Sequence, residues 1–77
     1  MAKISARGDR ELERVKFEDG VHYILTEQGR VLYCDPWGRI KLMMSAKEAQ
    51  KQHGSPREAF NKLVLIRARQ VDVKERR

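Results

Sequence analysis

Cys34 is the single cysteine of the 77-residue chain. No disulfide can form within the chain, and a lone thiol suits a reducing compartment. His22 and His53 lie far apart, with no cysteine beside either at metal-ligand spacing, so no bound metal is expected. No apolar run approaches the roughly 20 residues that span a bilayer. The N-terminal MAKISARGDRELER lacks the apolar core of a secretory signal. A soluble, cytoplasmic protein is the expectation. Glycine-rich phosphate loops are missing too, since Gly29, Gly38 and Gly54 each read as a turn or cap and none belongs to a loop–lysine pattern.

Short length excludes more. A domain of this size buries only roughly 60% of the surface its unfolded chain exposes. That allows one thin core and leaves no room for a deep, doubly supported catalytic cleft. Cys34 with His22 is the one nucleophile–base pair worth testing, and the strand register derived below turns the two side chains to opposite faces. The acidic run Asp9, Glu11, Glu13, Glu18, Asp19 alternates with Arg10, Arg14 and Lys16, as mutually paired charges on a strand do. No enzyme and no cofactor is expected.

Charge is present in excess and unevenly. The net charge is +6, from 17 Lys and Arg against 11 Asp and Glu. Residues 1–37 carry six basic and seven acidic side chains, whereas residues 38–70 carry eight basic side chains against Glu48 and Glu58 alone. A concentrated field of one sign attracts polyanions and acidic protein surfaces, although it also serves plain solubility.

Along the chain, residues 1–9 show no hydrophobic period and read as a flexible arm. Arg7-Gly8-Asp9 within it reads as a chance tripeptide with Gly8 as a joint. From Glu11 to Met44 the pattern is strands and turns: Val15 and Phe17 alternate with charges, Asp19-Gly20 signals a hairpin, and VHYILTE, VLYC and RIKLMM are separated by Gln28-Gly29 and Asp35-Pro36-Trp37-Gly38. A two-residue loop at Gln28-Gly29 pairs Glu27 with Arg30, and a four-residue loop at 35–38 pairs Cys34 with Arg39. Together they place Ile24, Thr26, Val31, Tyr33, Ile40 and Leu42 on one apolar face. Tyr23, Leu25, Leu32, Cys34, Arg39 and Lys41 then share the other. This register predicts that Tyr33, Ile40 and Leu42 are buried together. It also predicts that the mixed face is covered by a helix, by the C-terminal strand or by a second copy in a homodimer.

After Met44 the period becomes helical. Ser45-Ala46-Lys47-Glu48 and Ser55-Pro56-Arg57-Glu58 are capping-box patterns, Gly54 is a C-terminal stop, and Pro56 occupies a favoured first helical position. They predict helices over about 46–53 and 56–63. LVLIRARQVDV reads either way, and its branched residues favour a strand over about 65–73. The final KERR reads as a basic tail. The fold class is therefore α+β: a small antiparallel meander of three or four strands, two short capped helices and a C-terminal strand that can return to the sheet. A small β-barrel closed by that strand is the alternative. A single domain over 10–73 is expected, between an arm at 1–9 and a tail at 74–77.

The functional expectation is a non-catalytic, basic, nucleic-acid-associated binding module. Cations neutralise phosphate and aromatic rings stack on bases. Trp37 at a turn tip beside Arg39 is the most suggestive local feature, with Lys41, Arg67, Arg69 and Tyr23 as further candidates. Against this, tryptophan often folds its ring back over a sheet edge. The alternative is a protein-interaction module, of the kind found among viral and mobile-element accessory proteins, that docks an acidic partner or itself.

Overall fold

The computed structural model describes residues 9–76, so residues 1–8 of the expected arm, with Arg7 and Gly8, lie outside the described residues. Its first three hairpin turns are built alike. Each is a three-residue loop ending on glycine: Glu18-Asp19-Gly20, Glu27-Gln28-Gly29 and Pro36-Trp37-Gly38. In each, the glycine N–H donates back to the residue before the loop, and that residue's N–H donates to the carbonyl just after it (Phe17 to Val21 2.8 Å, Thr26 to Arg30 3.0 Å, Asp35 to Arg39 2.9 Å). The glycines hold φ of +93°, +90° and +93°, a region that side chains with a Cβ rarely enter.

These loops join β1 (Glu11–Phe17), β2 (His22–Thr26), β3 (Val31–Cys34) and β4 (Ile40–Met44), and a last strand, β5 (Val73–Arg76), returns to β1. The sheet is antiparallel throughout, ordered β4-β3-β2-β1-β5. It is open, with β4 and β5 at opposite edges, so the barrel alternative does not hold. Lys74, Glu75 and Arg76, read from sequence as tail, form most of β5.

The loop lengths correct the register. Leu25 pairs with Val31 and Ile24 with Leu32, while Tyr33 pairs with Lys41 and Leu32 with Leu42. Both hairpins are offset by one residue from the sequence-based pairing, which exchanges faces because side chains alternate with period two. One face carries Val15, Phe17, Val21, Tyr23, Leu25 and Val31, which form the main core with Phe60 and Val64. The other brings together Ile24, Leu32 and Cys34. Tyr33, Ile40 and Leu42 are not buried together: Tyr33 packs against the main core, whereas Ile40 and Leu42 are exposed. The expected covering of Tyr23 and Leu25 is supplied by a helix.

That helix is α2 (Pro56–Ala68), preceded by α1 (Ala46–His53). Ser45 and Glu48 form the reciprocal capping box (Ser45 N–H to Glu48 Oε1 3.0 Å, Glu48 N–H to Ser45 Oγ 3.2 Å), and Gly54 ends α1 at φ +92°. Ser55 Oγ caps α2 by accepting from the Glu58 N–H at 3.1 Å. Residues 65–68 are helical, not strand. Phe60, Leu63, Val64 and Arg67 fall on one helical stripe, and Arg67 continues it by laying its guanidinium over the Phe17 and Tyr23 rings, 5.3 and 5.9 Å from their centroids. Tertiary contact outweighs the strand preference of the branched residues. Burying Phe17 and Phe60 contributes about 2–3 kcal/mol each, and Ala49 of α1 and Ala59 of α2 are fully buried as well.

Ion pairs fasten the layers. Asp9, assigned from sequence to the arm, is buried and accepts from Arg30 Nη2 at 2.7 Å, Arg30 Nε at 2.9 Å and the Gln28 N–H at 2.9 Å. It ties the start of β1 to the β2–β3 loop. Glu13 on β1 joins Arg57 of α2 to Arg76 of β5, the latter at 2.7 Å. Burial pushes both carboxyls up, but their hydrogen bonds, chiefly from Arg30 to Asp9 and from Arg57 and Arg76 to Glu13, outweigh it and leave both below their ordinary values of 3.8 and 4.5.

Two predictions follow from this packing. A Cβ on Gly29 would lie 2.9 Å from Pro56 Cγ and 3.2 Å from Ala46 Cβ, whereas one on Gly38 meets nothing within 4 Å. Both substitutions strain φ by about 1–2 kcal/mol, and Gly29→Ala adds roughly 1–3 kcal/mol of overpacking. Urea titration should rank Gly29→Ala clearly below Gly38→Ala in stability. The second concerns acid. Lowered native carboxyl pKa values mean that the unfolded chain binds more protons, so their stabilisation is present above the ordinary values and is lost as pH falls through the native ones. Thermal midpoints should drop steeply below about pH 4, and Asp9→Asn, less stable at pH 7 by about 1–3 kcal/mol, should flatten that drop.

Candidate nucleic-acid interface

The arginines divide into structural and unengaged. Arg10, Arg14, Arg30, Arg57, Arg67 and Arg76 are held by Glu27, Glu11, Asp9, Glu13, Asp19 and Glu13 respectively. Among the described residues, Arg39 and Arg69 have no ion pair. Both are exposed, Arg39 at the start of β4 and Arg69 at the C-terminal cap of α2. The β1–β2 and β3–β4 loops lie at one end of the sheet, where Pro36 sits against Gly20. α2 ends there as well, because Arg67 reaches Asp19. Arg39 and Arg69 therefore belong to the same end of the molecule.

Trp37 is at the tip of that end. Asp35 Oδ1 accepts from the Trp37 N–H at 3.0 Å and the Arg39 N–H at 2.8 Å, which fixes the loop backbone while the indole stays free. Trp37 is 82% exposed, so its ring does not fold back over the sheet. Lys41 follows on the helix-bearing face, opposite Tyr33, and is exposed because α2 lies over β2 and β3.

Two other sequence-based candidates are engaged within the fold. Tyr23 is 8% exposed, with its ring edge-on to Phe17 at 5.0 Å, so it is core and cannot stack on a base. Arg67 is committed to Asp19 and the two rings beneath it. The structure also adds cations that the sequence reading did not select. Lys47 and Lys51 stand one turn apart on α1, and Lys62 precedes exposed Leu65 and Ile66 on α2. Their helical spacing was the available signal.

On the helix-free face, cross-strand rows run from apolar to charged. Ile40, Cys34, His22, Lys16 and Glu75 form one row, and Leu42, Leu32, Ile24 and Arg14 the next. His22 and Cys34 are thus direct partners on one face, which corrects the opposite orientation expected from sequence. The thiol nevertheless donates to the Asp35 carbonyl at 3.6 Å, and His22 Nδ1 accepts from Arg14 Nη1 at 2.8 Å. Burial raises the thiol's pKa. Burial, with the Arg14 and Lys16 charges, lowers that of the imidazole. A neutral thiol beside a neutral ring already engaged by arginine is poorly prepared for nucleophilic work. Arg14, Lys16, His22 and Glu75 line a shallow cavity of about 120 Å³.

The fold and this end surface define the molecule's class: an open five-stranded antiparallel sheet with α2 on one face, α1 packed against α2, and a cationic, tryptophan-tipped hairpin. No protein-family model matches the chain, and neither a curated protein nor a solved structure matches it. Among the described residues, no helix is long and apolar enough to cross a membrane, and no cluster of His, Cys, Asp or Glu could hold a metal ion.

Trp37 is the single tryptophan, so its fluorescence reads the hairpin tip alone. Emission should lie near that of free indole, and acrylamide should quench it almost as efficiently in the native as in the unfolded chain. A blue-shifted, protected emission would contradict the exposed tip.

Proposed function

We propose that the protein is a non-catalytic, basic, nucleic-acid-associated accessory module. Its contact surface is the β3–β4 hairpin: Trp37 at the tip, with Arg39, Lys41 and, from the end of α2, Arg69. The observation that carries this reading is the pairing of an 82% exposed indole with flanking cations that no carboxylate neutralises among the described residues. An exposed ring can stack on any base, and unengaged cations can displace counterions from phosphate. Folding the indole back over the sheet edge would serve stability alone better. The cytoplasm, where nucleic acid is accessible, is the compartment that this reading implies.

A fluorescence-anisotropy titration at two salt concentrations tests it. Binding to generic single-stranded DNA or RNA should weaken steeply with salt. Arg39→Ala and Lys41→Ala should each lower affinity across all sequences and reduce the salt slope by about one. Trp37→Ala should cost roughly 1–3 kcal/mol on single strands and little on duplex. Absence of binding even at low salt overturns the proposal.

A further inference from the structure

Beyond the nucleic-acid reading, and not resting on it, the outer edge of β4 has the features of a strand-docking site. Among the described residues no strand pairs with that edge. The ladder determines which backbone groups it presents. Asp35 and Arg39 are hydrogen-bonded across the loop, the N–H of Asp35 donating to the Arg39 carbonyl at 2.9 Å. Hydrogen-bonded and non-bonded pairs alternate along an antiparallel ladder. Cys34–Ile40 is then a non-bonded pair, Tyr33–Lys41 a bonded one and Leu32–Leu42 non-bonded. The main-chain N–H and C=O of Ile40 and Leu42 therefore point away from β3, free to pair with another strand.

The side chains specify what that strand contains. Ile40 and Leu42, 43% and 54% exposed, project on the helix-free face, where they continue the apolar strip of Leu32, Cys34 and Ile24. Lys41 projects on the opposite face and has no ion pair among the described residues, and Arg39 precedes it at the same alternation. A second copy pairing antiparallel about Lys41 would set lysine against lysine, a repulsive cross-strand pair of the kind that guards natural sheet edges. We infer that the edge of β4 accepts an extended protein segment in which acidic and apolar residues alternate. Its carboxylates would face Lys41 and Arg39, its apolar side chains would extend the strip beside Ile40 and Leu42, and its backbone would complete the ladder.

The test uses the full chain and no nucleic acid. The probe is a capped peptide alternating valine and glutamate, with the valine–lysine alternation as control. Amide exchange of the free, monomeric chain should show Ile40 and Leu42 unprotected and Lys41, already bonded to Tyr33, protected. The glutamate peptide should slow exchange at Ile40 and Leu42 and leave Lys41 unchanged. Leu42→Pro removes the outward N–H together with the leucine side chain, a change that an edge strand tolerates, and should weaken binding by roughly tenfold or more. Lys41→Glu should invert the preference between the two peptides without touching the backbone. Equal affinity for both peptides, or no protection by the glutamate peptide at low salt, overturns the inference. So does protection of Ile40 and Leu42 in the free chain, which in a monomer would mean that the chain's own residues occupy the edge and in a dimer that a second copy does.

Discussion

Glycine at the third position of each hairpin loop is the constraint from which the rest of the structure descends. At φ near +90° it turns the chain in three residues and returns it with the strand twist that a meander needs. Loop length then sets register, and register decides which half of each strand meets α2. Because Gly20, Gly29 and Gly38 act alike, the four consecutive strands share one phase. Val15 and Phe17, Tyr23 and Leu25, and Val31 and Tyr33 fall under the helix together, while Arg14, Lys16, Ile24, Leu32 and Leu42 fall away from it.

Strand and helix positions were legible in the sequence because local chemistry specifies them: turn glycines, capping serines and an N-terminal proline all act within a few residues. Register was not. At Gln28-Gly29 a two-residue loop and a three-residue loop both put glycine where positive φ is wanted, and each yields an alternating pattern that looks amphipathic. Tyr33, Ile40 and Leu42 are all apolar or aromatic, so a one-residue slip still produced a plausible apolar face. The absent discriminator was Pro56, whose ring packs against Gly29 from 27 residues away and belongs to the tertiary structure alone. The same holds at residues 65–68, where the helix is prolonged by an arginine whose partners, Asp19, Phe17 and Tyr23, lie far upstream.

The candidate site was legible to a similar depth. Trp37 and Arg39 were readable as a candidate pair, but whether the ring folds back over the sheet edge was open until the Asp35-held loop left it exposed. Tyr23, which lies in the core, was misplaced because the one-residue slip put it on the mixed face, and Arg67 is engaged by Asp19, a partner that composition does not count. Most of the described arginines are held in ion pairs, Arg57 and Arg67 joining α2 to the sheet and its first loop, and Asp9, which looked like part of a loose arm, is the buried acceptor of another. A net charge of +6 therefore overstates the arginine charge left unengaged. Among the described residues the unengaged charge is largely lysine, with Arg39 and Arg69 the exceptions. Lysine, as a hydrated point charge on a flexible stem, suits contacts with phosphate or with a rim carboxylate more than rigid bidentate recognition.

β4 is exposed for a structural reason. α2 must place Phe60 and Val64 over Tyr23 and Leu25, reach Glu13 through Arg57 and end at Asp19, and these three requirements hold it over β2 and β3. A helix about 10 Å across covers roughly two strands spaced 4.8 Å apart, so β4 is left uncovered. Its sequence fits that position. Lys41 stands where a helix would otherwise have required an apolar residue, and Ile40 and Leu42 stand on the face that no helix approaches. Stability of the isolated domain would favour polar residues at positions 40 and 42. Their apolar character sets two exposed aliphatic side chains beside an unpaired ladder and a tryptophan held out by Asp35, all on one hairpin.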